Sequence, residues 1–330
     1  MYLQHFGLHK YPFSLTPDPS FLYLTAAHRE ALAGLLFAVT CRKGFLVLTG
    51  DAGTGKTTLL RTMLARLPSA TTIFSFVVHT TLTPTEFLES TLLDFGITDI
   101  PDSKAQRLRI FRDFLRRSVE AGKTPVLIVD EAQKLSPELL EEIRLLSNAE
   151  TAEQKLLQII LAGQDELLPV LARDDMRQLR QRIAVRVRIG RLSNQEVAQY
   201  MRTRWSRAGS TEPLPFDADA VFAIANHSGG IPRVVNAIAD AALVKAFSSH
   251  RRMIGAGEIL AVAQAFEMPV QCATADAPPE PANTPIPVRP SPEQERLSMP
   301  VLVHHYPEGE PALRAPRFKR WALRLGVGRA

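Results

Sequence analysis

The sequence predicts an α/β protein: a three-layer αβα core around a five-stranded parallel sheet, then an all-helical part, then a disordered C-terminal tail. Three observations predict it. Short apolar runs alternate with helical patterns up to about Ala208; a glycine-rich stretch, Gly50–Thr57, joins the first run to a helix; and residues 214–268 carry helical patterns only.

Taken in order, Phe45-Leu46-Val47-Leu48 reads as a buried strand and Thr72 to Val78 as a second. Pro125 to Val129 is a third, Leu156 to Leu161 a fourth and Ala184 to Ile189 a fifth. Each run is short, rich in β-branched or aromatic residues, and without polar–apolar alternation, which predicts strands covered on both faces. Thr83-Pro84 and Ser136-Pro137 place a hydroxyl cap before a first-turn proline, so helices start there. Ser193 and Glu196 make a capping-box pattern ahead of Val197 and Tyr200.

Composition bounds the rest. Of 330 residues, 45% are apolar and 22% charged, which fits one large soluble domain or two. Lys and Arg outnumber Asp and Glu by 39 to 34; the resulting +5 suits a polyanionic ligand without separating nucleotide, nucleic acid and anionic lipid. Cys41 and Cys272 are too few for a disulfide scaffold and suit a reducing cytoplasm. No apolar run approaches the roughly 18 residues of a membrane span. Met1 to Thr16 lacks a basic region followed by an apolar core, so no cleaved signal is expected either. The eight histidines show no H-E-x-x-H or Cys-His spacing, so no structural metal site is expected. Eleven of the 24 prolines fall in the last 60 residues. There, Ala273 to Pro316 buries too little apolar surface to offset its ordering entropy and reads as an extended linker.

Gly50-Asp51-Ala52-Gly53-Thr54-Gly55-Lys56-Thr57 is a full G-x-x-x-x-G-K-[ST] match, placed between a strand and a helix through Leu59, Leu60 and Met63. The glycines let the backbone curl until its N–H groups face phosphate oxygens beside a helix N-terminus. This predicts ATP held by Gly50 through Thr57 and by Thr58 next in the helix. Lys56 is expected on the β and γ phosphates, and the Thr57 hydroxyl on Mg²⁺. Val126-Leu127-Ile128-Val129-Asp130-Glu131 supplies the acids at the end of a buried strand. Asp130 is expected at the Mg²⁺ and Glu131 as the base that orients and deprotonates water. Alone, the pair reads equally well as a solvated strand end; behind a phosphate loop it favours hydrolysis.

Together these motifs resemble an AAA+ ATPase, and more narrowly the ExeA (general secretion pathway protein A) group. The residues that carry the resemblance begin with Met1-Tyr2, Phe6-Gly7-Leu8, Pro12-Phe13, Thr16-Pro17-Asp18-Pro19, Phe21-Leu22-Tyr23 and His28-Arg29-Glu30-Ala31-Leu32. Asp130-Glu131-Ala132-Gln133, Leu145-Leu146-Ser147-Asn148, Leu156-Leu157-Gln158-Ile159, Gly163-Gln164 and Gly229-Gly230-Ile231-Pro232-Arg233 complete them. The match covers roughly residues 1–268, and no counterpart of the group's transmembrane and peptidoglycan-binding parts is expected in these 330 residues. The resemblance implies that Gln164 is sensor 1, that Arg182 (or, nearly as well, Arg180) is an arginine finger offered to a neighbouring subunit, and that Arg233 is sensor 2. It also implies that Pro12 to Tyr23 packs on the adenine. The plain alternatives are a turn amide for Gln164, a solvated helix face for Arg180 and Arg182, and ordinary core packing for the aromatics of Pro12 to Tyr23.

The domain organisation expected is an adenine-side segment over 1–25, an AAA+ core over 26–208, a helical lid over 209–270, a linker over 271–316 and a basic amphipathic tail over 317–330. In the tail, Phe318, Trp321, Ala322 and Leu325 fall at helical spacing among arginines. That pattern fits a weak peripheral anchor on anionic lipid as well as a frayed basic end. The function implied is an ATP hydrolase, active as a homo-oligomeric ring, that remodels or assembles a protein partner of an envelope export machine, in the cytoplasm or peripherally at the inner membrane. Two other classes stay open. One is a DNA-binding regulator resembling TniB and TnsC, using the ten arginines between Arg173 and Arg207; the other is a signalling switch that holds ATP without rapid turnover.

Overall fold

The computed structural model describes residues 2–267 apart from 17, 79 and 80; the expected linker (271–316) and basic tail (317–330) lie outside the described residues. In chain order the elements are α1 (Tyr2–His5), α2 (Ala26–Thr40), β1 (Phe45–Gly50), α3 (Lys56–Arg66), β2 (Thr72–Val77), α4 (Pro84–Asp94), α5 (Lys104–Glu120) and β3 (Thr124–Val129). Then come α6 (Pro137–Leu146), β4 (Gln158–Gly163), α7 (Leu167–Ala172), α8 (Arg177–Arg180), β5 (Ile183–Ile189), α9 (Asn194–Arg207), α10 (Ala218–Ser228), α11 (Pro232–Ser248) and α12 (Ala256–Ala265). Among the described residues no helix is long and apolar enough to cross a membrane.

All five strands are parallel, in the order β2-β3-β4-β1-β5. The three central strands are the continuous apolar runs: β1 and β4 are buried throughout and β3 at every position after Thr124. Helices on both faces explain this, because a parallel crossover must pass over the sheet. Val47, Leu127 and Leu161 face one apolar cluster with Phe87, Phe111 and Ile143 of α4, α5 and α6. Leu46, Leu48, Ile128 and Ile160 face the other, with Leu32 and Leu35 of α2 and Leu60 and Met63 of α3.

The edge strand β5 departs from the expected lack of alternation. In β5, Ile183, Val185 and Val187 are half-buried while Ala184, Arg186 and Arg188 are exposed. An edge strand flanked on one side only does not need two covered faces. Strand bounds also move: β4 begins at Gln158 and runs to Gly163, and β5 begins at Ile183.

The helix starts form as the local chemistry dictates. Thr83 and Glu86 close a capping box before Pro84, Ser136 Oγ accepts from the Leu139 N–H, and Ser193 and Glu196 close a second box.

A third apolar cluster is built by α9–α12 and by the chain's beginning. Tyr2, Phe6, Leu8, Phe13 and Phe21 are buried in it against Val197, Trp205, Val235 and Leu243. Residues before α2 and after β5 thus share one core, although the whole sheet domain separates them in sequence.

Candidate functional site

Register brings the motifs to one edge of the sheet. Leu48 and Thr49 of β1 lie beside Ala162 and Gly163 of β4, and Val129 of β3 beside Leu161. The residues that follow these strands therefore emerge together at their carboxyl ends, where open α/β sheets bind ligands. They line a cavity of about 610 Å³ whose other walls come from the Ser14–Leu24 segment, α9 and the start of α11.

The glycine-rich loop turns between β1 and α3. Gly53 has φ +81°, and a Cβ there would lie 2.8 Å from the Arg233 Cβ, so only glycine fits beneath the start of α11. Its carbonyl accepts from the Arg233 N–H at 3.3 Å. Lys56 is 6% exposed, and its Nζ donates to the Gly50 and Asp51 carbonyls at 2.7 and 2.8 Å. Burial lowers the Lys56 pKa, opposed by the carboxylates of Asp130 and Glu131. Ala52, Gly53, Thr54, Gly55, Lys56, Thr57 and Thr58 line the cavity; Gly50 and Asp51 do not, and the Asp51 carboxylate pairs with Arg191 at 2.6 Å.

Asp130 is 3% exposed. It accepts from the Thr57 hydroxyl at 2.6 Å and the Glu131 N–H at 2.9 Å, yet burial still raises its pKa. Glu131 has a left-handed backbone, φ 56°, a conformation few non-glycine residues adopt. Its Oε2 accepts from Gln133 Nε2 at 2.9 Å and lies 3.4 Å from Lys134 Nζ. Burial pushes the Glu131 carboxyl up, but these partners outweigh it and hold the pKa below the ordinary carboxylate value. Gln133 in turn accepts, through Oε1, from the Gln164 N–H at 3.0 Å. A Cβ at Gly163 would stand 2.9 Å from that same oxygen. One amide therefore ties the Glu131 carboxylate to the start of the Gln164 turn.

Arg233 and Gln164 line the cavity. Arg180 and Arg182 do not; they donate to the Ala172 and Ser147 carbonyls at 2.9 and 3.5 Å. Of the arginine-rich segment, Arg173, Arg188 and Arg191 pair with Asp175, Asp165 and Asp51, and Arg204 and Arg207 bond to carbonyls of the first 22 residues. Much of that charge is engaged within the fold.

Several lining residues were given no site role from sequence, His28 having appeared only in a stretch that carries the resemblance. Buried His28 contacts Thr25 Oγ1 through Nδ1 at 2.7 Å and the Thr54 carbonyl through Nε2 at 3.4 Å. Its pKa is lowered by burial, against the hydrogen bond to Thr54. Lys134, Tyr200, Arg204 and Asn236 also line the cavity. Arg204 had appeared only as one of ten arginines, and Tyr200 only as a helix residue.

The residues fit ATP with Mg²⁺. A cradle that a Cβ at Gly53 would fill, a buried ammonium and a helix N-terminus suit a polyphosphate. A buried carboxylate beside a hydroxyl suits a hard divalent cation that keeps several waters.

A family model described as an AAA domain matches residues 40–171. General secretion pathway protein A of Aeromonas hydrophila is 42% identical over 260 residues, covering 78% of this chain and 47% of that protein; the chain spans about half the length of this relative. Among solved structures, the Aeropyrum pernix ORC2 protein in its ADPNP-ADP complexes superimposes with a TM-score of 0.60 at 16% identity, over 78% of this chain and 72% of that one. Cdc6p of Pyrobaculum aerophilum gives 0.57 at 18% identity, over 72% and 68%. At such identities the structures establish the fold alone. With the phosphate loop, the Asp130-Glu131 strand end and the helical cluster in place, the chain belongs to the AAA+ P-loop family, as a relative of the general secretion pathway protein A type.

Proposed function

We propose that the chain binds and hydrolyses ATP with Mg²⁺, and that this drives remodelling or assembly of a protein partner in envelope secretion or export. The observation that supports it best is the convergence of Lys56, Thr57, Asp130, Glu131, Gln164 and Arg233 around one cavity. In this reading Lys56 Nζ exchanges the Gly50 and Asp51 carbonyls for phosphate oxygens, which give its buried charge an anionic partner. Thr57 and Asp130 would hold Mg²⁺, which would supply positive charge against the phosphates. Glu131 accepts the proton of the attacking water; Gln164 and Arg233 read the γ-phosphate. Arg182 or Arg180, remote from its own cavity, serves the site of a neighbouring copy in a ring. Identity with a secretion-pathway protein supports the export setting, and with it a cytoplasmic or inner-membrane-peripheral place.

Phosphate release is the first test. Lys56→Ala is expected to lose nucleotide binding and turnover together. Glu131→Gln is expected to keep binding and slow turnover by about 10²–10⁴-fold, the usual contribution of a positioned base. Undiminished turnover in Lys56→Ala would remove the site assignment. A Glu131→Gln variant that releases phosphate as fast as wild type would leave a nucleotide-holding switch instead of a motor.

A further inference from the structure

Another wall of the same cavity is lined by residues of the Pro12–Tyr23 strap, from Ser14 onward, and among the described residues the strap's hydrogen bonds to other elements all go to α9 and α11. Arg204 of α9 donates from Nε to the Pro12 carbonyl at 2.5 Å and from Nη2 to the Ser14 carbonyl at 3.4 Å. Its guanidinium lies 4.9 Å from the Phe21 ring centroid. Asn236 of α11 donates to the same Ser14 carbonyl at 3.3 Å. The Tyr200 hydroxyl joins the two, donating to Asn236 Oδ1 at 2.8 Å and accepting from Arg204 Nη1 at 3.2 Å. Further along, Arg207 bonds to the Ser20 and Leu22 carbonyls, and Tyr23 donates to Gln199 at 2.7 Å. Phe13 and Phe21 are buried in the α9–α12 cluster, not against the sheet. The sheet domain takes over from Leu24, which packs in its apolar cluster and accepts from Arg29 of α2, and then at Thr25 and His28.

Resting on the nucleotide reading above, we propose that Arg204 is the positioning residue of the base-binding wall: with Tyr200 and Asn236 it fixes the strap to the helical cluster, so that the wall facing the base and the helix carrying Arg233 form one body. A buried arginine, 7% exposed, that spends its fork on main-chain carbonyls is suited to this role. From one helix position the arginine fork reaches two strap carbonyls, Pro12 and Ser14, that no shorter side chain could hold together. Occupation of the base wall is then mechanically joined to the placement of Arg233 over Gly53. The phosphate loop alone would retain affinity for a ligand without a base.

The test compares ATP with inorganic tripolyphosphate, both with Mg²⁺, by calorimetric titration of the full chain. Wild type is expected to bind ATP more tightly than tripolyphosphate. Arg204→Ala is expected to weaken ATP by about tenfold or more while moving tripolyphosphate by less than about threefold, because misplaced positioning groups cost affinity only where they act. Arg204→Lys keeps the charge without the fork and should fall between. Tyr200→Phe deletes one hydroxyl and serves if Arg204→Ala does not fold; it should raise the KM for ATP with kcat nearly kept. Equal losses for both ligands in Arg204→Ala and Arg204→Lys, or ATP binding unchanged in Arg204→Lys and Tyr200→Phe, would overturn the positioning role. Wild type binding the two ligands equally would overturn the base wall. Wild type binding neither would sink the nucleotide reading, and this inference with it.

Discussion

Glu131 illustrates how a single residue is prepared. Its left-handed backbone and its bond from Gln133 aim a carboxylate, kept ionised by its partners, along the floor of the cavity. Gln133→Ala removes the tie to the Gln164 N–H as well. We expect it to lower kcat by about 10- to 100-fold, the scale of an ångström-sized misplacement, with the KM for ATP little changed; steady-state kinetics would show a rise in KM instead if Gln133 served substrate binding. His28 makes a different prediction. Its folded pKa is depressed by burial, so the unfolded chain binds the proton more readily and acidification favours unfolding. The stability this histidine supports is present above its ordinary pKa of 6.5 and is lost as pH falls below it. Urea midpoints at pH 7.5 and 5.5 should therefore differ less in His28→Gln than in wild type. Gln133 sits in the quoted Asp-Glu-Ala-Gln stretch, but its partner Gln164 arrives 31 positions later and only the β3–β4 pairing brings them together. No local pattern carries that.

At the scale of elements, legibility follows how local the cause is. Capping boxes depend on residues three apart, and the Ser193–Glu196 box forms as its spacing dictates. Ser193→Ala should cost about 1 kcal/mol, read as a lower urea midpoint, because it unpins the first turn of the helix that carries Tyr200 and Arg204. The central strands were legible because burial on both faces is written as an unbroken apolar run. The edge character of β5 was not: its alternation is imperfect in sequence, Ala184 being small and apolar, and only the order β2-β3-β4-β1-β5 leaves Arg186 without a strand beyond it. Likewise Leu156 and Leu157 read as strand because they are apolar, yet they are buried by packing just before the ladder begins at Gln158.

For the whole molecule, the expected division at 208/209 meets a core that already includes Leu192, Val197 and Trp205 together with Tyr2, Phe6 and Phe13. We therefore propose a discontinuous lid, made of the first 23 or so residues and of the chain from Leu192 onward. A ring with arginines acting in trans predicts complementation. Arg182→Ala alone should lose about 10³-fold or more in turnover. Mixed with Glu131→Gln subunits, whose arginines are intact, it should recover activity in proportion to mixed assemblies; if only Arg180→Ala behaves this way, that residue is the finger. The sequence by itself determined the phosphate loop, the acidic strand end, the parallel sheet and the helix starts, since each is set by neighbours in the chain and by the burial each segment requires. Only the tertiary structure decided which strands lie at the edges, that Gln133 bridges Glu131 to Gln164, and that the first residues of the chain are built into the last helices. Those are contacts between segments far apart in sequence, fixed by sheet order and by which apolar faces find one another, and no short-range pattern encodes them.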